Sequence, residues 1–544
     1  MGLTSLVPAH AAALDLERAL GDPSRPDAPV AFGALVRHDE REEPPAEAFE
    51  ALRAWGVHAH LVPREWGGRL GAFDELLALV RVVSRRDLVL TTGLGSTMLA
   101  AIPVWAWGGD DQRREVAGLL LGAGAFGSFA VSERDAGSDF LATATRADAG
   151  AGGYVLRGEK WLIGNASRSS FVVALARTRR SLSLLFLRPD RVGAGVCRRL
   201  PRIRTLGLRG HDMGGLAFED CELPAGALIA PAGRGMEMAL TTLQFTRTMI
   251  AGMALGAADT ALRLALGWGR SRRLYGEPIL AIPAVRALLL GSFLDILIGE
   301  CVAMVTARAL TMAPRRASLW AAAAKYVVPN LCERVARDAS VVLSARSYLR
   351  EGIADGMFQK VARDVAITSI FEGTQLVQLS LIAAQLGQLA RAGARDEPVD
   401  VDRLCDLSRP APAWDPPSTR LRIGDPGGDE LVDRWFRRSP TPALPPHGEG
   451  AFRALRDLAS GAGPRRHCDL HAAACCLQVW RSNRERLAPE AAGGEWVSLC
   501  LERLASGGEP PPVTGSLAEP VSAWMLRQLD AGELFSVAPF ELAQ

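Results

Sequence analysis

The chain has 544 residues, 48% of them hydrophobic and 22% charged, with a formal net charge of +2. That length exceeds one ordinary core and predicts three or four domains, and the near-neutral balance gives no footing for nucleic-acid or polyanion binding. The opening Met1-Gly2-Leu3-Thr4-Ser5 lacks the pattern of a secretory signal, and the longest apolar stretch, 281–312, is broken by Arg286, Asp295, Glu300 and Arg308, so no membrane helix is expected. Nine cysteines without an even framework of short spacings predict reduced thiols and a cytoplasmic protein. Lysine occurs only at 160, 325 and 360; the basic residues are otherwise arginine, read here as coding bias.

In chain order, residues 46–124 read as helices with breaks. Ala48, Phe49, Leu52 and Trp55 share one helical face ending at Gly56, Pro63 and Gly67-Gly68 mark a turn, and helical spacing resumes from Phe73. Between 126 and 224 short β-rich runs (154–156, 161–163, 171–173, 182–187, 216–218) alternate with Gly, Asn, Asp and Pro, which predicts a small antiparallel barrel or sandwich. Four long amphipathic stretches follow, 243–266, 279–312, 319–348 and 358–389, and predict a helical bundle. Residues 395–420, rich in Pro, Asp and Arg, read as a linker. Beyond it, 452–458, 468–480, 496–504 and 521–529 read as short helices. Cys468, His471 and Cys475 fall on one helical face beside His467, a pattern that a buried face of small residues explains more simply than a metal, so no metal is expected. This last region is expected to be separable: truncation at the linker should leave a soluble, active protein.

One carboxylate stands out. Glu372 lies between the apolar residues Val365, Ile367, Ile370 and Phe371 and the permissive Gly373. Such a flank desolvates a carboxylate and raises its basicity, which suits a general base; a helix end with a capping glycine has the same residues.

Arg363-Asp364 followed by Ile370-Phe371-Glu372-Gly373-Thr374 resembles the C-terminal signature of the acyl-CoA dehydrogenase family. Four further stretches resemble that family in the same order: Pro63-Arg64-Glu65-Trp66-Gly67-Gly68; residues 130–139, Ala-Val-Ser-Glu-Arg-Asp-Ala-Gly-Ser-Asp; residues 158–166, Gly-Glu-Lys-Trp-Leu-Ile-Gly-Asn-Ala; and the arginine-bearing segments around Arg247 and Arg272. The resemblance implies a helical N-terminal domain (1–125), a central β-barrel (126–232) and a four-helix bundle (233–393), then the linker and an extra C-terminal helical domain (421–544) as in the long-chain members. It implies FAD, with Val131, Ser132, Gly137, Ser138, Leu162, Ile163, Gly164, Arg272, Arg346 and Thr374 at the cofactor, and Ser138, Arg247 and Gly373 at the substrate. Glu372 would remove the α-proton of an acyl thioester carried on coenzyme A or a carrier protein, giving the trans-2-enoyl product. An electron-transferring flavoprotein or other acceptor, and a homodimer or homotetramer, follow from the same resemblance.

The sequence departs from the family at four places. Gly164 stands where a threonine hydroxyl usually reaches flavin N5, Arg134 replaces a proline, and Pro283 replaces a glutamine that contacts the neighbouring subunit's cofactor. The family's Gly-Gly-X-Gly loop appears as Ser344-Ala345-Arg346-Ser347, which predicts weakened FAD binding. Two other readings stand beside the dehydrogenase: a flavin monooxygenase, which relatives on the same fold have become, and, from the altered loop, an impaired partner subunit that binds flavin poorly.

Overall fold

The computed structural model describes residues 7–179, 181–193, 195–392, 399–416, 421, 428–438, 443–457, 459 and 463–544. Six helices come first: α1 (Ala11–Leu20), α2 (Phe32–Arg41), α3 (Ala46–Trp55), α4 (Phe73–Arg86), α5 (Leu88–Trp107) and α6 (Asp110–Ala123). Gly56 ends α3 where expected, at φ +93, with its N–H on the Leu52 carbonyl. Asp87 separates α4 from α5 by accepting from the Val89 N–H at 2.7 Å, as an N-cap does.

Eight strands follow: β1 (Phe126–Ala130), β2 (Arg146–Gly150), β3 (Gly153–Gly164), β4 (Ser169–Thr178), β5 (Ser181–Leu187), β6 (Cys197–Leu200), β7 (Met213–Pro224) and β8 (Leu228–Ile229). They form one sheet in the order β6-β7-β3-β2-β4-β5-β8, with β1 joined to β4. The expected antiparallel arrangement needs correction, because β1 and β2 both run parallel to β4. Strand periodicity reports which residues face the core, here Val172, Ala174, Leu185, Leu216 and Phe218, and carries no information on strand direction.

The bundle is built from α7 (Gly235–Ser271), α8 (Pro283–Met312) and α9 (Ala317–Leu343), with the hairpin β9 (Arg273–Leu274) and β10 (Glu277–Pro278) between α7 and α8. Its fourth member is not one helix. α10 (Met357–Asp364) gives way to a 3-10 turn, Val365–Ser369, and α11 (Gln375–Ala392) starts only after the Glu372 turn. By length and composition α5, α7 and α8 are each apolar enough to cross a membrane, contrary to expectation, and 83%, 89% and 94% of their apolar windows are buried inside the protein. Asp259 of α7 and Asp295, Glu300 and Arg308 of α8 pair with charges inside the protein.

Arg363 and Asp364 belong to such a network. Arg363 pairs with Asp39 at 2.6 Å, and Asp364 accepts from the Leu208 N–H and from Lys360, each at 2.7 Å. Lys360 also reaches Asp87 at 2.6 Å. The pair thus clamps the N-terminal helices and the β6–β7 loop against α10, upstream of Glu372.

The stretch expected to be a linker packs tightly where it is described; 395–398 and 417–420 lie outside the described residues. α12 (Val401–Cys405) offers the Leu404 carbonyl to Arg308 at 2.6 Å, and Trp414 lies against Phe73 and Phe245. Then come α13 (Glu430–Val432), a π-helical turn Asp433–Arg437, α14 (Glu449–Asp457), α15 (Pro464–Asn483), α16 (Pro489–Ala492), α17 (Glu495–Ala505) and α18 (Ala518–Asp530). The histidine face of α15 is engaged by a carboxylate: His467 Nε2 and His471 Nδ1 lie 3.0 and 2.9 Å from Asp429, which also caps α13.

Candidate active site

Glu372 occupies the left-handed region at φ +57 and Gly373 follows at φ +100. A residue with a side chain is strained there, and its neighbours hold it. Arg247 Nε of α7 donates to the Glu372 carbonyl at 3.2 Å, and Gln378 Nε2 of α11 donates to the Gly373 carbonyl at 3.0 Å. Thr246 Oγ1, one residue before Arg247, donates to the Glu372 carboxylate. From α9, Lys325 Nζ donates to the Thr368 carbonyl at 2.5 Å and stands 5.6 Å from the centre of the Phe371 ring. Three elements of the bundle therefore fix one half-buried carboxylate.

The electrostatics are those of a group tuned between two charges. Burial pushes the Glu372 carboxyl above the usual range, opposed by the Thr246 hydrogen bond and by the positive charges of Lys325 and Arg247. Burial also draws Lys325 down to about 8 and Arg247 down to about 10, with Glu372 opposing both. Arg247 is only 6% exposed. Its guanidinium supports the Glu372 turn through the residue 372 carbonyl.

A second group of expected residues gathers at the start of the sheet. Trp161 N–H donates to the Ser132 carbonyl at 2.9 Å, and Lys160 Nζ reaches the Val131 carbonyl at 3.1 Å and Glu133 at 2.7 Å, which joins the two glycine-bearing motifs side by side. Leu162 sits at φ +56 in a bulge between Trp161 and Ile163, a device that turns a backbone N–H out of the ladder. Ile163 is buried beneath it, and Gly164 is half-buried at the strand's end. Gly137 and Ser138 lie exposed on the turn that follows Glu133, and Thr374 is exposed after the Glu372 turn.

Arg272 and Arg346 meet at Trp268. The Arg272 N–H closes α7 onto the Trp268 carbonyl at 2.9 Å, and the Arg346 guanidinium lies 4.4 Å above the Trp268 ring. Ser344, in the altered loop, takes φ +55, a conformation natural to glycine.

Sequence reasoning missed Lys325. The signal for Lys325 was its rarity. All three lysines are buried and paired, Lys160 with Glu133, Lys325 with Thr368, and Lys360 with Asp87 and Asp364. A compact ammonium fits such points where a planar guanidinium does not.

Domain models of acyl-CoA dehydrogenases match the chain three times: N-terminal over 34–121, middle over 128–221 and C-terminal over 233–387. The chain is 30% identical over 359 residues to the short-chain specific mitochondrial acyl-CoA dehydrogenase of Sus scrofa, covering 64% of this chain and 84% of that protein. It is 28% identical over 353 residues to the probable acyl-CoA dehydrogenase FadE25 of Mycobacterium tuberculosis (strain ATCC 25618 / H37Rv), covering 64% and 89%. The crystal structure of an acyl-CoA dehydrogenase complexed with FAD from Bacillus anthracis superposes with a TM-score of 0.72 at 15% identity, covering 97% of each chain, so its fold extends through the C-terminal region as well. The chain, with its three matched domains and its added helical extension, belongs to the acyl-CoA dehydrogenase family.

Proposed function

We propose that the chain is an FAD-dependent dehydrogenase that forms the α,β double bond of an acyl thioester, with Glu372 as the base. The observation that carries this reading is the Glu372 turn. It is a strained, half-buried carboxylate with raised basicity, held through its backbone by Arg247 and at one carboxylate oxygen by Thr246. The Glu372 N–H has no acceptor among the described residues and is free to donate to a thioester carbonyl. When the α-proton passes to Glu372, negative charge moves from the carboxylate to the substrate's enolate. The charges of Arg247 and Lys325 face that site before and after the transfer, so the anion forms in a field already oriented for it. A base of this kind is what the monooxygenase reading does not use.

The residues present fit FAD. Leu162 and Gly164 offer backbone at the end of β3, and His211 beside them is 2% exposed with neither ring nitrogen partnered. Arg272 is exposed at the end of α7 near Trp268, in reach of a diphosphate. FAD, when bound, supplies the hydride acceptor for the β-carbon. The proposal includes a homodimer, supported by the wholly exposed Tyr275 and the 92% exposed Tyr348. An external acceptor such as an electron-transferring flavoprotein belongs to it too. The nine buried free thiols support a cytoplasmic setting.

The test is the visible spectrum of the purified protein, followed by acyl thioesters of graded length without oxygen. A yellow preparation that bleaches is expected; a colourless one, or one that no thioester bleaches, contradicts the reading. A pH profile adds detail. Lys325→Met removes a charge that favours the ionised Glu372, so the acid limb of kcat/KM should move to higher pH than in the wild type. An acid limb unmoved by the substitution would show that Lys325 does not act on the base.

A further inference from the structure

Ser96, Gly164 and His211 converge from α5, the end of β3 and the loop between β6 and β7. Gly164 is held in place on both sides. Its carbonyl accepts from Ser128 Oγ at 2.8 Å, and the next residue, Asn165 at φ +60, donates from Nδ2 to the Gly93 carbonyl at 2.8 Å and the Gly127 carbonyl at 3.1 Å. On the side where a Cβ would project from Gly164, the Ser96 hydroxyl already fills that space and His211 Nε2 stands 3.1 Å from the same point. Residue 164 can carry a side chain only if Ser96 moves.

His211 makes the niche unusual. Both ring nitrogens are buried without a partner. Burial, with Arg168 and Arg202 nearby, lowers the ring to about 3, so at neutral pH it is uncharged and carries one donor and one acceptor. An unpaired buried polar ring is costly unless something completes it. Ser96 is half-buried and lies on the same side of Gly164. A planar heteroaromatic edge with alternating donors and acceptors is the chemistry that satisfies both groups.

We infer that Ser96 and His211 form the hydrogen-bonding wall for the polar edge of the flavin ring, with Ser96 supplying from α5 the hydroxyl that residue 164 lacks. The inference rests on the FAD reading above and locates its contact in residues from other elements. Gly164 and Ser96 are then a matched pair: one gives up its side chain because the other occupies its place.

The experiment titrates apoprotein with FAD and records the visible spectrum of the bound flavin. Wild-type protein is measured first, and failure to bind FAD there overturns the functional reading itself. Given wild-type binding, Ser96→Ala should bind FAD about tenfold more weakly, the loss of one hydrogen bond, with shifted visible bands. Gly164→Thr alone should also weaken binding, because the new side chain meets Ser96. The double variant Ser96→Gly with Gly164→Thr should return both affinity and spectrum towards the wild type. His211→Leu should shift the bands as well. Wild-type affinity and an unchanged spectrum in Ser96→Ala, or a double variant no better than Gly164→Thr, would overturn the inference while leaving the FAD reading intact.

Discussion

Removal of residues 393–544 is expected to abolish soluble, folded protein. The sequence reading of a separable extension fails on what lies beneath it. Arg503 of α17 forms a two-pronged pair with Asp295 of α8 at 2.6 and 2.7 Å, and Asp295 is fully buried. The final segment reaches further into the bundle: Ser536 Oγ and the Val537 N–H donate to Glu300 at 2.7 and 2.8 Å, and the Phe535 N–H donates to Asp259 at 3.0 Å. Phe293 of α8 packs on Trp524 and Phe535, with ring centres 5.3 and 5.7 Å apart. Truncation would expose Phe293 with its apolar neighbours on α8 and would strip partners from three buried carboxylates. Each large apolar side chain so exposed costs about 1.5–3 kcal/mol, and each hydrogen bond lost to a carboxylate costs about 1.5–3 kcal/mol, even though Asp295, Glu300 and Asp259 keep Arg334, Arg81 and Arg85. Few such losses consume a reserve of about 5–15 kcal/mol, and an exposed apolar helix face invites aggregation. Size-exclusion chromatography and thermal melting of the truncated chain check this. A monodisperse product with a cooperative melt would show that the extension is dispensable after all.

The same helix shows what the sequence could and could not disclose. The apolar periodicity of α8 revealed that it is buried, and its Asp295 and Glu300 argued against a membrane span. Periodicity names the buried face, though not its partner. Arg503, one partner of Asp295, and Ser536, one partner of Glu300, lie 208 and 236 residues away, and no local pattern connects them. The Glu372 motif was legible because its residues are contiguous and each is needed where it stands. The break in the fourth bundle helix was not, since a glutamate at positive φ has no residue-type signature as glycine has. Arg363-Asp364 was read as part of the family signature, and in the fold the pair is a clamp on the N-terminal helices. Ser96 and His211 lay hidden because a contact assembled from α5, β3 and a loop leaves only one trace in the chain, the glycine at 164.

Glu372→Gln is expected to reduce desaturation by roughly 10²–10⁴-fold, the usual contribution of a positioned general base, with the fold preserved. The amide is nearly isosteric and cannot accept a proton. The turn is held mainly through backbone carbonyls, by Arg247 on residue 372 and Gln378 on residue 373, and these bonds do not involve the carboxylate. The substitution also carries an independent signature at Lys325. Glu372 partly offsets the burial that lowers this lysine to about 8, so its loss lowers the lysine further. Above the folded-state value and below the ordinary lysine value, the unfolded chain binds a proton that the folded chain does not, so stability rises with pH across that window. In the Gln variant the window opens at lower pH. Denaturant melts of both proteins between about pH 6 and 9 should therefore show the variant's stability beginning to climb earlier than the wild type's. A variant that desaturates at the wild-type rate would place the base elsewhere. A variant that is inactive, folded and shifted in this profile would tie the lost activity to the carboxylate and the shift to the charge it shares with Lys325.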